Sequence, residues 1–358
     1  MKRFWVWALL VCGVLTVSAA PAYAGAPRRY VDRSEWPRWA ATYYTSTSET
    51  PNDGELVDAI RFELIRGYPV AAQDLLGYED RVFMPNRAMT RGEFAAVLSR
   101  SQALATEDGQ GAEWYKPYVD ALKAKGIIPA DASEAWGEKI SRREAGQWMG
   151  RAAEAFHADD RPPGIVFSDV DDPVIQRALR AGIVKGTGEG RFEPDRELLR
   201  VEAAVMLVRL ARGRNAEGNA NNPEVIEALK GVVLEADRQG TVQGKRWVQQ
   251  EYLDPVETGG VLTQEFAQFL DFTAADNLEV RNTAPRAWYE RIPEKYRFEV
   301  LEVHDATAVL QVCGTEQYYR LSDPSGSPWF QQNFCERQYM ISTLGSWLIS
   351  SAADPIYH

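Results

Sequence analysis

Apolar residues recur at helical spacing on either side of a glycine-rich loop between Phe167 and Leu210. This pattern predicts a short helix, a loop that contains Gly186 and Gly190, and a second helix that ends at Leu210. Parts of the same pattern occur twice more upstream. A unit of this size cannot bury its own apolar face, so we expect its copies to pack on one another. The chain therefore contains a predicted repeat domain built from pairs of helices.

The first and third copies share seven residue types at identical offsets, with no gap between them. The matched pairs are Gly77 with Gly186, Phe83 with Phe192, Pro85 with Pro194, Arg91 with Arg200, Glu93 with Glu202, Leu98 with Leu207 and Arg100 with Arg209. The middle copy keeps Gly126, Arg142, Glu144, Met149 and Arg151 in register. It lacks the Phe-x-Pro pair, and Trp136 is the residue that we expect to fill the gap. The middle copy is therefore a degenerate one.

The start and the loop of the third copy carry a resemblance to S-layer homology repeats. The residues concerned are Phe167, Asp169 and Val170, then Gly182, Ile183 and Val184, then Gly186, Gly190, Phe192 and Pro194. In the first copy, Thr90-Arg91-Gly92-Glu93 is similar to the T-R-A-E helix start of that family. The resemblance covers about residues 55–212, with repeats at 55–104, 111–157 and 163–212. It implies an all-α, pseudo-threefold domain of helix-loop-helix repeats.

Two of the repeated helix starts carry residues that favour N-terminal capping boxes. The pairs are Thr90 with Glu93 and Ser141 with Glu144. In such a box the hydroxyl accepts from a first-turn N–H group, and the glutamate reaches back to the cap residue. The third copy has Leu199 at the cap position and therefore lacks the hydroxyl. Capping accounts for these residues, but not for the arginine that follows each cap.

Arg91, Arg142 and Arg200 lie in the first helical turn, where a cation opposes the helix dipole by about 0.3–1 kcal/mol. The residues alone leave two explanations open. Free backbone N–H groups and a guanidinium together form a site for an external carboxylate or phosphate. Alternatively, each arginine pairs with an acidic residue of a neighbouring copy.

The resemblance favours the first explanation. S-layer homology triplets bind secondary cell-wall polysaccharide in the grooves between repeats, often through a pyruvylated sugar. The resemblance implies that Arg91, Arg142 and Arg200 contact this anionic polysaccharide. It also implies that Gly77 and Gly186 are loop glycines, whose missing side chains let a ligand approach the backbone.

Aromatic side chains are the other candidates for contact with a carbohydrate. Trp114, at the start of the middle copy, is the candidate for a groove. Trp148 falls inside a predicted helix, and we expect it in the core. The altered second loop and Leu199 leave open whether all three grooves bind.

The first 24 residues have the order of a secretory signal, with two basic residues, an apolar run and the small-x-small site Ala22-Tyr23-Ala24. A retained anchor needs about 20 apolar residues, so we expect cleavage, export and no membrane span in the mature chain. Residues 25–54 form a polar lead-in, whose Trp36 and Trp39 are expected against the first repeat. The net charge of -11 argues against nucleic acid or an anionic membrane as the partner.

The second half of the chain has a different pattern. Residues 213–222 are rich in Gly, Asn and Ala and predict a linker. Residues 223–358 show helical spacing at first and a period of two after Asn282. We expect four or five antiparallel strands, with turns near His304, Gly314 and Gly345. Helices followed by strands predict an α+β domain, similar to the nuclear-transport-factor-2-like fold.

Few residues of the chain point to chemistry. Cys313 and Cys335 remain after signal removal, and export favours a disulfide over two separate thiols. The aspartates around Asp169 lack the spacing of a calcium loop, and the glycine run lacks the order of a phosphate-binding loop, so we expect no metal or cofactor. His304 falls in a predicted turn, and no catalytic triad or metal-spaced cluster is evident.

These observations predict a non-enzymatic, exported protein of the cell surface. Its three repeats would hold it non-covalently to anionic wall polysaccharide, and its C-terminal domain would be a displayed binding or structural domain. Two alternatives are an extracellular enzyme that acts on a wall component and a scaffold for other surface proteins. A pocket with converging polar groups would favour the enzyme, and a large exposed apolar patch would favour the scaffold.

Overall fold

The computed structural model describes residues 28–37, 40, 54–73, 79–102, 104, 109–132, 134–156, 167–188, 190–213, 222–249, 262, 287–304, 306–320, 322, 325–343 and 346–352. The predicted signal peptide, Trp39, Gly77 and most of the predicted linker lie outside these ranges. The described residues form a helical repeat region followed by an antiparallel sheet, which confirms the predicted fold class. No helix among them has the length and apolar character needed to cross a bilayer.

Each repeat contributes a short helix and a longer one. The short helices are α1 (Glu55–Arg61), α3 (Lys116–Ala124) and α5 (Pro173–Arg180), and the longer helices are α2 (Arg91–Ser101), α4 (Arg142–Ala155) and α6 (Arg200–Arg212). The first repeat adds strands β1 (Arg28–Tyr30), β2 (Tyr68–Gln73) and β3 (Glu79–Val82). Strand β3 pairs parallel with β1 and antiparallel with β2. The extra residues between α1 and α2 thus give the helical region one small sheet.

Three backbone hydrogen bonds close the repeats into a ring. The N–H group of Met89 donates to the carbonyl of Leu198, that of Ile140 to Met89, and that of Leu198 to Ile140, each at 3.0 Å. Each repeat supplies one of these residues, directly before the cap of its longer helix. All three are fully buried. This cyclic arrangement gives the repeats the pseudo-threefold symmetry that the resemblance implies.

The short helices all end in the same left-handed turn. Gly126 and Gly182 follow α3 and α5 with φ angles of 70° and 71°. Glu63 takes the same place after α1 with a φ of 55°. Gly126 is therefore equivalent to Gly182. The prediction that Gly126 matches the loop glycine Gly186 of the third copy is wrong. Glu63 holds a conformation that costs a residue other than glycine about 1–2 kcal/mol.

Asp32 and Asp169 have the same structural role in the first and third repeats. The Asp169 carboxylate accepts from the N–H groups of Phe192 and the next residue at 2.7 and 2.8 Å. The Asp32 carboxylate accepts from Phe83 and the next residue at 2.9 and 2.7 Å. Trp36 is buried and packs edge-on against Phe83, with ring centroids 5.8 Å apart. The segment expected to be a lead-in therefore contains the start of the first repeat.

The C-terminal domain combines helix α7 (Pro223–Gln249) with a five-stranded antiparallel sheet. The strands are β4 (Ala287–Arg291), β5 (Arg297–Val303), β6 (Thr307–Arg320), β7 (Phe330–Thr343) and β8 (Ser346–Ala352). Their order is β4-β6-β7-β8, and β5 pairs with β6 beside β4. Leu229 and Val233 of α7 share a core with Leu310, Val312 and Met340. The sheet curls around this core as a half-barrel.

The turn expected at Gly314 is absent, because β6 continues from Thr307 to Arg320. A Cβ atom at Gly314 would come within 2.8 Å of the Tyr296 ring. The glycine therefore makes room for a ring and does not reverse the chain. Next to it, Cys313 lies directly opposite Cys335 on β7 and forms a disulfide with it, which confirms the predicted bridge.

The C-terminal domain packs directly on the repeats. The ring of Phe62, after α1, meets the ring of Tyr339 edge-on at 5.7 Å. Nη1 of Arg61 donates to the Tyr339 hydroxyl at 2.9 Å. The sheet residues that join the core of the repeats are Ala306, Val309, Tyr339 and Ile341. The two domains therefore share one apolar core at this end of the sheet.

Arg212, the last residue of α6, connects the two domains electrostatically. Its guanidinium contacts Asp58 at 2.8 Å and Glu302 at 2.7 Å. Burial opposes the ionisation of Glu302, but hydrogen bonds from His304 and Arg212 lower its pKa to about 2. Burial raises the pKa of Asp58 despite the attraction of Arg212. One guanidinium thus neutralises a carboxylate from each domain.

We expect Arg212→Gln to lower the free energy of unfolding by about 3 kcal/mol, because it removes the closest cation from two largely buried carboxylates. Arg209→Gln is the matched control, since Arg209 lies one turn earlier and pairs with a single carboxylate among the described residues, that of Glu55 at 2.7 Å. We expect the control to cost about 1 kcal/mol or less. Chemical denaturation followed by circular dichroism measures both values. Equal effects of the two substitutions would contradict the role of Arg212.

Candidate functional site

The longer helices begin by donating their first N–H groups to the next repeat in the ring. In each helix the first two N–H groups bind loop carbonyls at 2.7–3.1 Å. The pairs are Arg91 with Glu138 and Gly92 with Trp136 for α2, Arg142 with Arg196 and Arg143 with Pro194 for α4, and Arg200 with Arg87 and Val201 with Pro85 for α6. Trp136 thus takes the backbone place of the two prolines. The expectation that these N–H groups are free for an external anion is wrong.

Capping side chains bind a further N–H group in two of these helices. Thr90 accepts from the N–H group of Glu93 at 3.2 Å, and the Glu93 carboxylate accepts from the Thr90 N–H group at 2.9 Å. Ser141 accepts from the N–H group of Glu144 at 3.2 Å. In α6, Glu202 accepts from the N–H group of the leucine at the cap position at 3.0 Å. The first turns of α2 and α4 are therefore satisfied from within the chain.

The arginine of each helix start reaches across to the next repeat. The contacts are Arg91 to Glu144 at 2.8 Å, Arg142 to Glu202 at 2.7 Å, and Arg200 to the Tyr68 hydroxyl at 2.8 Å. Tyr68 in turn donates to Glu93 at 2.9 Å, so the third contact also ends on a glutamate. Pairing with a neighbouring copy, the second explanation for the arginines, is therefore confirmed for Arg91 and Arg142.

Arg142 and Arg200 are almost completely buried, with 2% and 3% of their surface exposed. Arg142 lies 4.8 Å from the Phe192 ring centroid, and Arg200 lies 5.0 Å from that of Phe83. The Nε atom of each arginine donates to the carbonyl of the same phenylalanine, at 2.8 and 2.9 Å. Burial lowers the pKa of Arg142, against the effect of its glutamate partner. These two arginines fix the neighbouring loop, whereas Arg91 keeps 18% of its side chain exposed.

Three grooves follow from this arrangement, and we name them by the repeats that border them. Groove 1–2 lies between the start of α2 and the second loop, groove 2–3 between α4 and the third loop, and groove 3–1 between α6 and the first loop. The loop residue that accepts the first N–H group is Glu138, Arg196 or Arg87, respectively. The side chains of Arg87 and Arg196 are 35% and 34% exposed. At this loop position, grooves 2–3 and 3–1 thus present a guanidinium, and groove 1–2 presents a carboxylate.

The charges of the three grooves differ accordingly. Groove 1–2 contains one cation, Arg91, and two carboxylates, Glu138 and Glu144. Groove 2–3 contains two cations, Arg142 and Arg196, and two carboxylates, Glu202 and Glu193. Groove 3–1 contains two cations, Arg200 and Arg87, and one carboxylate, Glu93. Among these residues, cations outnumber carboxylates in groove 3–1 and balance them in groove 2–3. The ratio is reversed in groove 1–2. Lys139, which pairs with Thr90 at the start of α2, adds a cation beside groove 1–2. An anionic ligand is therefore favoured most in groove 3–1.

The other expected site residues lie at different distances from the grooves. Gly186 is in the exposed third loop, where a Cβ atom would come 2.7 Å from the carbonyl oxygen of Arg191. The loop itself therefore requires a glycine there. Gly77 lies outside the described residues.

Trp114 is half-buried and packs edge-on against Tyr115 at 6.0 Å, and Tyr115 covers the start of α2. Trp114 is thus one ring removed from groove 1–2.

The described residues contain no group of three His, Cys, Asp or Glu side chains placed to bind a metal ion. Asp169, considered above as part of a calcium loop, accepts hydrogen bonds from the third loop instead. Trp148 is buried as expected and stacks on Phe94 with ring centroids 5.8 Å apart. The grooves between the repeats are therefore the candidate site of this region.

Comparison with known proteins identifies the repeat region. Residues 75–95 and 168–204 match the S-layer homology domain. A relative, the amylopullulanase of Thermoanaerobacterium thermosulfurigenes, is 29% identical over 147 residues. This similarity covers 37% of the present chain and 8% of the amylopullulanase. The chain therefore contains an S-layer homology domain and resembles a small part of a much longer protein.

We expect Arg142→Ala to lower the free energy of unfolding by about 3 kcal/mol, because two loop carbonyls lose their donor and Glu202 keeps only Arg196 as a cation among the described residues. Arg143→Ala is the matched control in the same turn, since Arg143 is 43% exposed and pairs with the exposed Asp195. We expect a change of about 0.5 kcal/mol or less for the control. Thermal and chemical denaturation measure both. An Arg142 variant as stable as the Arg143 variant would show that Arg142 does not hold the ring together.

Proposed function

We propose that this chain is a non-enzymatic protein of the cell surface, held non-covalently to anionic secondary cell-wall polysaccharide by the grooves between its repeats. The match to the S-layer homology domain carries this proposal, because that domain implies a location at the cell wall. The two matched segments also supply both walls of one groove. Arg87 and Glu93 lie in the first segment and Arg200 in the second, and together they form groove 3–1.

Arg87 and Arg196 are the direct contacts that we assign to the anionic groups of the polysaccharide. About one third of each side chain is exposed. A guanidinium carries five N–H donors, so each arginine can keep its glutamate and still bind a ligand carboxylate. We assign a positioning role to the three arginines implied by the resemblance. Arg200 and Arg142 hold the loops that present Arg87 and Arg196, and Arg91 holds the second loop, which presents Glu138.

Two grooves are competent in this proposal and groove 1–2 is silent. Glu138 replaces an arginine there and adds a second carboxylate beside Arg91. In groove 2–3, Nη2 of Arg142 reaches the carbonyl of Lys185 at 3.4 Å, so the loop that contains Gly186 forms the rim. Two weak sites on one rigid ring can bind the same polysaccharide at once, which raises the overall affinity without any new contact.

A second candidate function is enzymatic action of the C-terminal domain on a wall component. Asp237, Glu316 and Glu336 surround Arg291 at 3.2, 3.6 and 2.6 Å. Burial raises the pKa of Asp237, despite Arg291 and a hydrogen bond from Tyr296. A carboxyl group with a raised pKa is what a general acid requires. All three carboxylates are paired with this one arginine, so we favour a binding role. Release of reducing sugar from purified walls, abolished by Asp237→Asn, would favour the enzyme.

Co-sedimentation of the full chain with purified wall sacculi tests the anchoring proposal. The assay is run before and after chemical removal of the secondary polysaccharide. We expect the chain to sediment only with walls that retain the polysaccharide. Sedimentation that survives its removal would contradict the proposal.

The double variant Arg87→Gln, Arg196→Gln is expected to weaken wall binding by about tenfold or more, since a hydrogen bond to a charged group contributes about 1.5–3 kcal/mol. Arg177→Gln is the matched control, because Arg177 is 35% exposed and pairs with Glu154 away from the grooves. Co-sedimentation isotherms give the affinities, and circular dichroism checks that each variant is folded. A folded double variant that binds as well as the control would refute the assignment of these two arginines.

A further inference from the structure

Four aromatic rings form a continuous row on the sheet, away from the end that packs on the repeats. Tyr289, Tyr318 and Phe330 are cross-strand neighbours on β4, β6 and β7, so their side chains share one face. Ring centroids lie 5.8 Å apart from Tyr289 to Tyr318 and 5.5 Å apart from Tyr318 to Phe330. Trp329 continues the row 5.6 Å from Phe330. The first two steps of the row thus each cross to the next strand, and the third runs along the chain from Phe330 to Trp329.

The rings of this row are unusually exposed for large apolar side chains. Tyr289, Trp329 and Phe330 are 49%, 48% and 45% exposed. Contiguous exposed apolar surface on a folded domain marks a binding surface, whereas single exposed side chains need no explanation. Three of the rings follow one another across the strands, from β4 through β6 to β7. The shape of the row therefore suits an extended ligand that places one unit on each ring.

Polar side chains flank the rings and contact them. Nε2 of Gln332 donates to the Tyr318 hydroxyl at 2.8 Å, and that hydroxyl donates to Glu316 at 2.7 Å. The Arg320 guanidinium lies 4.0 Å from the centroid of the Trp329 ring. Apolar faces bordered by amide, carboxylate and guanidinium groups match a ligand with both CH surfaces and hydroxyl groups. A sugar ring has this combination.

One end of the row leads to buried polar atoms. Arg291 lies two residues beyond Tyr289, on the same face of β4, and binds Glu336 at 2.6 Å. The same Glu336 oxygen accepts from Gln338 at 2.5 Å. Nε of Arg291 and Oε1 of Gln338 make no hydrogen bond to the described residues, and Gln338 is only 4% exposed. Arg291 thus places a buried donor beside the rings, 3.6 Å from Glu316, whereas Gln338 lies further along β7, opposite Leu310.

We propose that this row binds an extended, uncharged polysaccharide, with one sugar stacked on each ring and hydroxyl groups bound by Gln332 and Arg291. Glu316 and Glu336, with the net charge of -11, disfavour nucleic acid and anionic lipid as ligands. The surface belongs to the C-terminal domain and uses none of the groove arginines. The chain then has two carbohydrate sites, one for an anionic polymer and one for a neutral polymer.

Calorimetric titration of the full chain with neutral hexasaccharides tests the proposal. The probes are maltohexaose, cellohexaose and the hexamer of N-acetylglucosamine, each at up to millimolar concentration. We expect at least one probe to bind. Tyr289→Ala, Trp329→Ala and Phe330→Ala should each weaken that binding by about tenfold, which is the scale of one stacked ring. Tyr289→Phe should retain it, because the stacking face is kept.

Two controls separate this site from other effects. Leu301→Ala removes a side chain that is 40% exposed on β5, outside the row, and should leave binding unchanged. The double variant Arg87→Gln, Arg196→Gln should also bind the hexasaccharide normally, even where it no longer binds walls. The proposal is overturned if none of the three probes binds, or if the ring variants bind as well as Leu301→Ala. Self-association or protein capture that depends on the rings, without oligosaccharide binding, would assign the row to a protein partner instead.

Discussion

The cyclic set of backbone hydrogen bonds among Met89, Ile140 and Leu198 is the constraint on which the rest of the repeat region depends. A pair of short helices leaves an apolar face uncovered, and here each pair is covered by the other two. Closure brings every longer helix against the loop of the next repeat. The core, the helix caps and the grooves are therefore consequences of one arrangement, and no repeat is expected to be stable without its neighbours.

Closure also sorts the arginines of the repeats into two kinds. Arg142 and Arg200 are drawn into the interface, where each lies over a phenylalanine ring and holds a loop carbonyl. Arg87 and Arg196 occupy the loop itself and stay partly exposed. The residues that define the repeat pattern thus build the grooves. The residues that line the grooves vary from copy to copy, as Glu138 shows, and so determine which groove is electrostatically suited to an anion.

The sequence predicted the helix pairs, the strand region and the disulfide because each depends on local spacing or on residue type. It missed the role of Asp32, because a long segment separates Asp32 from α1 and the residue was assigned to the lead-in. It misjudged Gly314, because a glycine that admits the ring of Tyr296 looks the same as a glycine that turns the chain. It could not show that the first-turn N–H groups are occupied, since their acceptors lie in another repeat. It also could not predict the row of rings, because Tyr289, Tyr318 and Phe330 come together only when three strands pair.

The two domains pack against each other on a shared core. The C-terminal domain is therefore not displayed independently of the repeats. Tyr339 lies against Phe62, and Arg212 joins carboxylates from both sides. The grooves and the row of rings are thereby held on a common framework. A polymer bound at one site and a polymer bound at the other would be held in a fixed relation, which is a mechanical property suited to a surface protein.

Native-state hydrogen exchange at the amides of Met89, Ile140 and Leu198 tests the closed ring most directly. If the ring opens only when the whole repeat region unfolds, all three amides exchange slowly and give the same opening free energy, equal to that of global unfolding. Denaturant should accelerate the three rates in parallel. A single amide of the three that exchanges much faster than the others, through a local opening insensitive to denaturant, would contradict the account.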